Sequence, residues 1–324
     1  MHLLGGNGKL GFSLSLLTAF MWGILPIALK LLLEVMDAYT ITWYRFLAAA
    51  GILGLYLAHR RNLPSLKGLT KQAWTLILIA VGGLAGNYLL YLLGLALVTP
   101  ATAQMVIQLA PLFLIVGGLV IFHEPFSMMQ LYGVSILLVG LGFFFHEQLI
   151  DLVGADQSFY VGTGLLVVAG VIWTAYALSQ KELLALFSSE QIMFLLYVGS
   201  AMVLFPLSHV DGVLVLNPFG WLLLIFCCLN TVIAYGAFAE AMNHWETSRV
   251  SAVLATTPLI TLAAMGALSA FVPNFSIDES FGLLHTIGAA LTVIGSMLAA
   301  LGKRKVSAPI GSERKSSKEE PARI

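Results

Sequence analysis

Residues 124–140 read EPFSMMQLYGVSILLVG, and residues 279–295 read ESFGLLHTIGAALTVIG. The two stretches share four residues at the same spacing: Glu124, Phe126, Gly133 and Gly140 match Glu279, Phe281, Gly288 and Gly295. In each stretch the glycines are two helical turns apart on one face of a helix, where small side chains let membrane helices pack closely. The pattern therefore predicts that one helical unit occurs twice in this chain.

Residue composition indicates a membrane protein. The chain has 324 residues, of which 59% are hydrophobic and 10% are charged, and its mean hydropathy is +0.93. Soluble domains carry roughly 25% charged residues. Apolar runs of about 20 residues, long enough to cross the hydrocarbon core as helices, follow one another along the sequence. We predict an all-α membrane protein with ten transmembrane helices, at residues 10–33, 39–58, 74–98, 101–122, 126–146, 161–181, 191–209, 219–242, 248–272 and 280–302.

The basic residues predict how these helices are oriented. With the N-terminus in the cytoplasm, every lysine and arginine except Lys30 and Arg45 falls in a cytoplasmic segment. Cytoplasmic loops are enriched in these residues, so both termini are expected inside. The net charge of zero hides this asymmetry, and no nucleic-acid partner is expected. The first apolar run is interpreted as a helix rather than a cleavable signal peptide, and residues 303–324 as a disordered cytoplasmic tail.

Further matches extend the repeat over the whole membrane region. They pair Trp22 and Lys30 with Trp173 and Lys181, and Pro111 with Pro258. We therefore expect two five-helix repeats, at residues 10–146 and 161–302. Because the number of helices in each is odd, the second repeat would cross the membrane in the opposite orientation. Inverted repeats are typical of secondary transporters, which bind substrate near the bilayer midplane where the repeats meet.

Several local features of the sequence occur together in one known family. They are the W-G pair at Trp22, the proline of the fourth helix, the E-P pair at Glu124, and the repeated glutamate followed by two glycines. In this order they resemble the EamA type of the drug/metabolite transporter superfamily. The resemblance implies ten helices, a central cavity formed mostly by helices 1, 3, 4, 6, 8 and 9, and transport of small organic solutes across the cytoplasmic membrane. Thr174 in place of a glycine, and a longer stretch before Glu279, make the two halves less symmetrical.

Two His-Glu pairs do not form a zinc-protease motif. That motif, H-E-x-x-H, needs a second histidine where this sequence has a serine or an isoleucine. Pro125 suits the first turn of a helix, with Glu124 beside the positive helix N-terminus; a gating carboxylate at Glu124 is the alternative. Cys227 and Cys228 are adjacent in an apolar run and match neither a disulfide framework nor a metal-binding spacing. We expect no metal and no cofactor.

Polar and aromatic side chains inside the apolar helices are candidates for substrate binding, because burying them without a partner costs free energy. These candidates are Trp22, Asn87, Tyr88, Tyr91, Gln104 and Gln108 in the first repeat, and Trp173, Tyr176, Asn230 and Tyr235 in the second. Gln104 and Gln108 are one helical turn apart, as are Asn87 and Tyr91, so each pair shares a face that could line a cavity. Hydrogen bonds between helices, without ligand contact, are the alternative for each residue.

Two embedded charges are candidates for coupling or gating. Arg45 is expected to pair with an outer acid such as Asp37, or to receive a substrate carboxylate. Glu240 could carry a coupling proton or neutralise a cationic substrate. It could equally reach cytoplasmic water and bond to a polar neighbour such as His244.

Two prolines are further gating candidates. Pro111 and Pro258 each lie within an apolar run and interrupt the hydrogen bonding of a helix. They provide either a static bend or a hinge.

The features together predict a secondary transporter of small organic solutes, such as amino acids or drugs, in the cytoplasmic membrane. Export is favoured over import. The expected partners are the solute and the lipid bilayer, and the sequence leaves open whether a second copy of the chain forms a homodimer. A membrane-embedded enzyme acting on lipid is the alternative, although no nucleophile, base and orienting group stand at a useful spacing. We therefore expect a protein that is not an enzyme.

Overall fold

A computed structural model describes residues 8–122, 127–147, 157–245, 247–271 and 282–302. Within these ranges the backbone forms α-helices that are joined by turns, loops and three 3₁₀ helices. These ranges contain no strand. The α-helices are α1 Gly8–Leu32, α2 Ala38–His59, α3 Lys71–Leu97, α4 Pro100–Val106, α5 Ala110–Phe122, α6 Met128–Phe144, α7 Gln157–Leu183, α8 Ser189–Leu204, α9 Pro218–His244, α10 Thr247–Leu254, α11 Thr257–Phe271 and α12 Leu283–Leu301. The 3₁₀ helices are Ile107–Leu109, Phe205–Leu207 and Val210–Val215. The predicted tail, residues 303–324, lies outside the described residues.

Eight helical stretches within the described residues are long and apolar enough to cross a membrane. Of the other two predicted spans, the one at 101–122 is divided between α4 and α5, and α6 is an apolar helix of 17 residues. Large apolar side chains cover the outer surface, and Leu55, Met202 and Leu222 are 76%, 71% and 63% exposed. Such a surface suits lipid rather than water. The all-α membrane class is thus confirmed, whereas the count of ten spans stays a prediction.

Side-chain caps set where several helices begin. Asp37 accepts hydrogen bonds from the backbone N–H and the hydroxyl of Thr40 at the start of α2. A capping box between Ser127 and Gln130 starts α6, and an equivalent pair starts α8. The described helix α6 begins at Met128. Pro125, predicted in the first turn of this helix, lies outside the described residues. Glu124 and Glu279 lie outside the described residues.

Helices α6 and α12 pack through their glycines. A Cβ at Gly133 would meet the carbonyl oxygen of Gly295 at 2.8 Å, and one at Gly140 would meet that of Gly288 at 2.8 Å. The backbones are therefore in direct contact, as small residues permit. Since residue numbers rise along α6 while they fall along α12, the two helices are antiparallel at this contact.

Two other helix pairs, α3 with α7 and α1 with α9, make contacts that the repeat alignment relates to each other. The Asn87 side chain donates to the carbonyl of Ala169 at 2.9 Å, and the Thr18 hydroxyl donates to that of Ala234 at 3.3 Å. The number of residues that separates Trp22 from Trp173 also separates Thr18 from Ala169, so the repeat alignment matches these two residues. In the same way, the separation of Pro111 and Pro258 matches Asn87 with Ala234. The same contact thus occurs twice, with its donor on opposite partners.

Two helical segments are broken just before a proline. A 3₁₀ turn at Ile107–Leu109 separates α4 from α5, and a turn at residues 255–256 separates α10 from α11. Pro111 and Pro258 are each the second residue of the helix that follows, where the missing N–H of proline costs no helical hydrogen bond. The irregular turn therefore precedes each proline, and Val106, Ile107 and Ala110 around the first turn keep right-handed helical dihedral angles.

Candidate functional site

The two breaks in the helices face each other. The side-chain nitrogen of Gln108, in the first break, donates to the carbonyl oxygen of Ala255, in the second, at 3.2 Å. The hydroxyl of Ser296 on α12 donates to the side-chain oxygen of Gln108 at 3.0 Å. Gln108 and Ala255 are 147 residues apart, the same spacing as Pro111 and Pro258. Gln108 is buried and joins equivalent positions of the two halves.

Helix α1 contacts three other helices through consecutive backbone carbonyls. Pro26 has no N–H, so the carbonyl of Trp22 lacks its usual helical donor, and Gln104 donates to it instead at 2.8 Å. Asn230 donates to the carbonyl of Met21 at 2.7 Å. The Thr261 hydroxyl donates to that of Gly23 at 2.6 Å. Side chains from α4, α9 and α11 thus hold the middle of α1.

All four amide side chains predicted as site residues donate to backbone oxygens of neighbouring helices. They are Asn87, Gln104, Gln108 and Asn230. For the nitrogen atoms of these side chains, the structure thus shows the alternative interpretation, a hydrogen bond between helices. The side-chain oxygen of Asn230 is buried without a hydrogen-bond partner among the described residues. A ligand-binding role for the four amides stays a prediction.

Three of the predicted aromatic residues come together between α1, α3 and α9. The rings of Trp22 and Tyr235 meet edge to face, with their centres 5.2 Å apart. The ring centre of Phe238 lies 5.8 Å from that of Trp22. The side chains of Tyr88 and Tyr235 are hydrogen-bonded to each other. Trp22 and Tyr235 are only partly buried, whereas Tyr88 is buried. This cluster joins residues from both predicted repeats.

The other predicted aromatic residues extend the group on either side. The Tyr176 hydroxyl donates to the sulfur of Met193 at 3.6 Å, and Trp173 lies 6.4 Å from Tyr176. Tyr91 is partly buried on α3 and packs against the core formed with α1 and α9. The ring of Phe46 lies 4.7 Å from Tyr88. Aromatic side chains of α2, α3, α7 and α9 thus lie in one core cluster.

Arg45 does not pair with Asp37. Asp37 is engaged in capping α2, and the Nε of Arg45 donates instead to the hydroxyl of Thr231 on α9 at 3.1 Å. The guanidinium carbon lies 4.6 Å from the centre of the Tyr88 ring, which is a cation–π distance. Only 3% of Arg45 is exposed.

Glu240 lies away from this group, on an exposed part of α9. Its carboxylate is 2.9 Å from the Nε2 of His244 one helical turn on, and the side chain is 54% exposed. Of the arrangements expected for Glu240, the structure therefore shows the contact with a polar neighbour. A role in proton coupling stays a prediction, as does gating by Pro258, which is buried at the start of α11. The side chain of Pro111 is outside the described part of the chain.

Sequence reasoning missed the hydroxyl residues of the site. Thr18, Thr231, Thr261 and Ser296 all hydrogen-bond across helices. Serine and threonine in membrane helices commonly bond to their own backbone, and Thr231 also donates to Cys227 one turn earlier. No pattern in the sequence separates those that also reach a neighbouring helix.

Comparison with known proteins assigns the family. The sequence profile of the EamA-like transporter family matches the chain twice, over residues 9–145 and 161–301. The chain belongs to the EamA-like transporter family. It is therefore a membrane transporter, and the resemblance found in its motifs is confirmed.

Relatives of this EamA-like protein carry transporter names. An uncharacterized transporter of Haemophilus influenzae is 39% identical over 295 residues, covering 91% of this chain and 96% of the relative. The uncharacterized inner membrane transporter YhbE of Escherichia coli K12 is 39% identical over 296 residues, covering 91% and 92%. A probable amino-acid metabolite efflux pump of the same strain is 22% identical over 315 residues, covering 90% and 95%.

A crystal structure shares the fold of this family member. It superposes with a TM-score of 0.59 at 18% identity, and the match covers 91% of this chain and 99% of the other. At this identity the likeness concerns the fold alone.

Proposed function

We propose that this EamA-like transporter is a secondary carrier that exports small organic metabolites across the cytoplasmic membrane by alternating access. Its ten spans form two inverted five-helix repeats, at residues 10–146 and 161–302, with both termini in the cytoplasm. Substrate binds between the repeats, and rocking of one against the other exposes it to each side in turn.

The observation that carries this proposal is the contact between the two helix breaks. Broken helices leave backbone groups without helical partners, and in secondary transporters such breaks lie where substrate binds. The hydrogen bond from Gln108 to Ala255 joins the two breaks directly. Relative motion of the halves must change this contact, so it is well placed to respond to binding.

Two further observations support inverted repeats. The family profile matches the chain twice, over ranges of similar length. Helices α6 and α12, which correspond in the repeat alignment, are antiparallel where Gly133 meets Gly295 and Gly140 meets Gly288. A duplicated unit whose equivalent helices run in opposite directions is the arrangement that inversion requires.

The aromatic cluster suggests which solutes are carried. Trp22, Tyr88 and Tyr235 offer ring faces together with hydroxyl groups, and Tyr91 lies one helical turn from Tyr88 on α3. Such a surface suits molecules with an apolar part and a few polar groups. Trp173 and Tyr176 extend this surface on α7. The relative named as an amino-acid metabolite efflux pump is consistent with solutes of this kind.

Counterflow into liposomes tests the proposal. The purified full-length protein is reconstituted into vesicles loaded with a mixture of amino acids, and uptake of each tritiated amino acid from outside is measured. A carrier gives transient, saturable accumulation that depends on the internal load, and protein-free vesicles give none. Uptake that never saturates would indicate a channel, and chemical conversion of lipid or solute would indicate an enzyme. Either result contradicts the proposal.

A further inference from the structure

Arg45 is the charged residue that the fold buries. Among the described residues no other lysine, arginine, aspartate or glutamate is buried. Its Nε bonds to Thr231, which lies at the middle of the 27-residue helix α9. At 1.5 Å per residue that helix is about 40 Å long, so the bond lies roughly 20 Å from either end. The guanidinium is therefore held near the depth at which secondary transporters bind substrate.

In the part of the chain that the structure describes, the neighbours of this guanidinium supply no negative charge. The groups that interact electrostatically with Arg45 are the phenols of Tyr88, Tyr91 and Tyr197 and the thiols of Cys227 and Cys228. No ion pair among the described residues includes Arg45. Asp37, the acid nearest to it in sequence on α2, is engaged by Thr40.

An arginine in this position has hydrogen-bonding capacity left over. A guanidinium carries five N–H donors in a planar fork, and one of them is used by Thr231. The bond at Nε and the ring of Tyr88 fix the plane of the group and leave the two terminal nitrogens, which can bind both oxygens of a carboxylate. A cation at this depth without an anion is unfavourable, so an arriving anion would be bound strongly.

We propose that Arg45 binds the carboxylate of the transported solute. The inference rests on the proposed carrier function and names its substrate class: a monocarboxylate whose apolar part packs against the aromatic cluster. Arg45, Tyr88 and Thr231 come from α2, α3 and α9, so binding of the carboxylate joins helices of both predicted repeats.

The first test compares acids with their amides on the unaltered protein. Thermal unfolding of the full-length protein in detergent is followed with a panel of amino acids and of aliphatic and aromatic monocarboxylates, each paired with its primary amide. We expect some acids to raise the melting temperature by several degrees while their amides do not, because a ligand that binds the folded state stabilises it. Phosphate monoesters of matching size separate carboxylate recognition from general anion binding. If no acid stabilises the protein more than its amide, the proposal is overturned.

The second test removes the guanidinium. Arg45→Gln is expected to weaken binding of the stabilising acids at least about tenfold, and Arg45→Lys to weaken it less, because lysine keeps the charge without the fork. Arg60→Gln is the matched control. Like Arg45, Arg60 lies near a tyrosine ring, with its guanidinium carbon 5.7 Å from the ring centre of Tyr56, but Arg60 is exposed. Unchanged acid binding in both Arg45 variants contradicts the proposal.

The melting temperature without ligand separates substrate binding from a structural role. A purely structural arginine would leave Arg45→Gln less stable than the unaltered protein. We expect the Gln variant to be at least as stable, since burial of a charge without a counter-ion costs free energy that a neutral side chain avoids. A large loss of stability in both variants, with the acid preference intact in Arg45→Gln, overturns the assignment.

The two proposals can fail separately. Counterflow of the stabilising acids that is unchanged in Arg45→Gln would leave the carrier function standing and remove the carboxylate assignment. If stabilisation by acids requires Arg45 but no solute shows counterflow, the carboxylate assignment stands and the carrier function is contradicted.

Discussion

Single polar side chains link the helices of this transporter to backbone groups that the helices leave without partners. The clearest case is Gln104, which donates to the carbonyl of Trp22. Pro26 lies four residues after Trp22 and lacks the N–H that would otherwise bond there. A buried carbonyl without a donor costs about 1–3 kcal/mol, so the glutamine and the proline are energetically coupled.

Replacing Gln104 tests this coupling. Gln104→Leu removes the donor and is expected to destabilise the protein by about 1–3 kcal/mol, seen as a lower melting temperature in detergent. In a Pro26→Ala background the new N–H can bond to Trp22, so the same substitution should cost clearly less. A double-mutant cycle measures this difference. If the two substitutions act additively, the carbonyl of Trp22 does not depend on Gln104.

At the scale of helices, glycine spacing and helix breaks shape the bundle. The glycines of α6 and α12 bring two backbones into contact, so even a methyl group has no room there. Irregular turns lie between α4 and α5 and between α10 and α11, and the Gln108 side chain crosses from one to the other. The contact between α6 and α12 therefore has no room for larger side chains, whereas the two irregular turns are joined through one side chain, that of Gln108.

Substitution of glycines on one helix separates contact from helix propensity. Gly140→Ala places a methyl group 2.8 Å from the carbonyl oxygen of Gly288, and we expect a lower melting temperature and reduced yield of folded protein. Gly142→Ala is the control, because a Cβ there meets nothing within 4 Å. This control should be neutral or stabilising by about 0.5–1 kcal/mol, since alanine favours helix over glycine. Equal effects of the two substitutions would contradict close packing at Gly140.

At the scale of the whole molecule, the proposed function depends on how the chain crosses the membrane. The positive-inside bias predicts that the α2–α3 loop lies in the cytoplasm and the α8–α9 loop outside. The segment Val210–Val215 packs back onto the start of α2, where Tyr44 donates to the carbonyl of Val210 at 2.7 Å. The end of the bundle that is predicted to face outward is therefore partly covered by its own chain.

Cysteine labelling in intact cells tests this orientation. In a background with Cys227 and Cys228 replaced by alanine, Leu214→Cys should react with a membrane-impermeant maleimide added from outside, because Leu214 is 82% exposed. Ser65→Cys, exposed in the α2–α3 loop, should react only after the membrane is permeabilised. The reverse pattern would place the termini outside, and labelling of both from outside would contradict the predicted arrangement of spans.

The amino-acid sequence by itself determined the membrane class, the family and most helix positions. These depend on the length of apolar runs and on short motifs such as the paired glycines, all of which are local along the chain. Only the tertiary structure decided that Arg45 bonds to Thr231 rather than to Asp37, and that Gln104 and Gln108 bind backbone oxygens rather than standing free. The partners of each of these side chains are more than 80 residues away, and they come together because buried polar groups must find a hydrogen bond wherever helix packing supplies one.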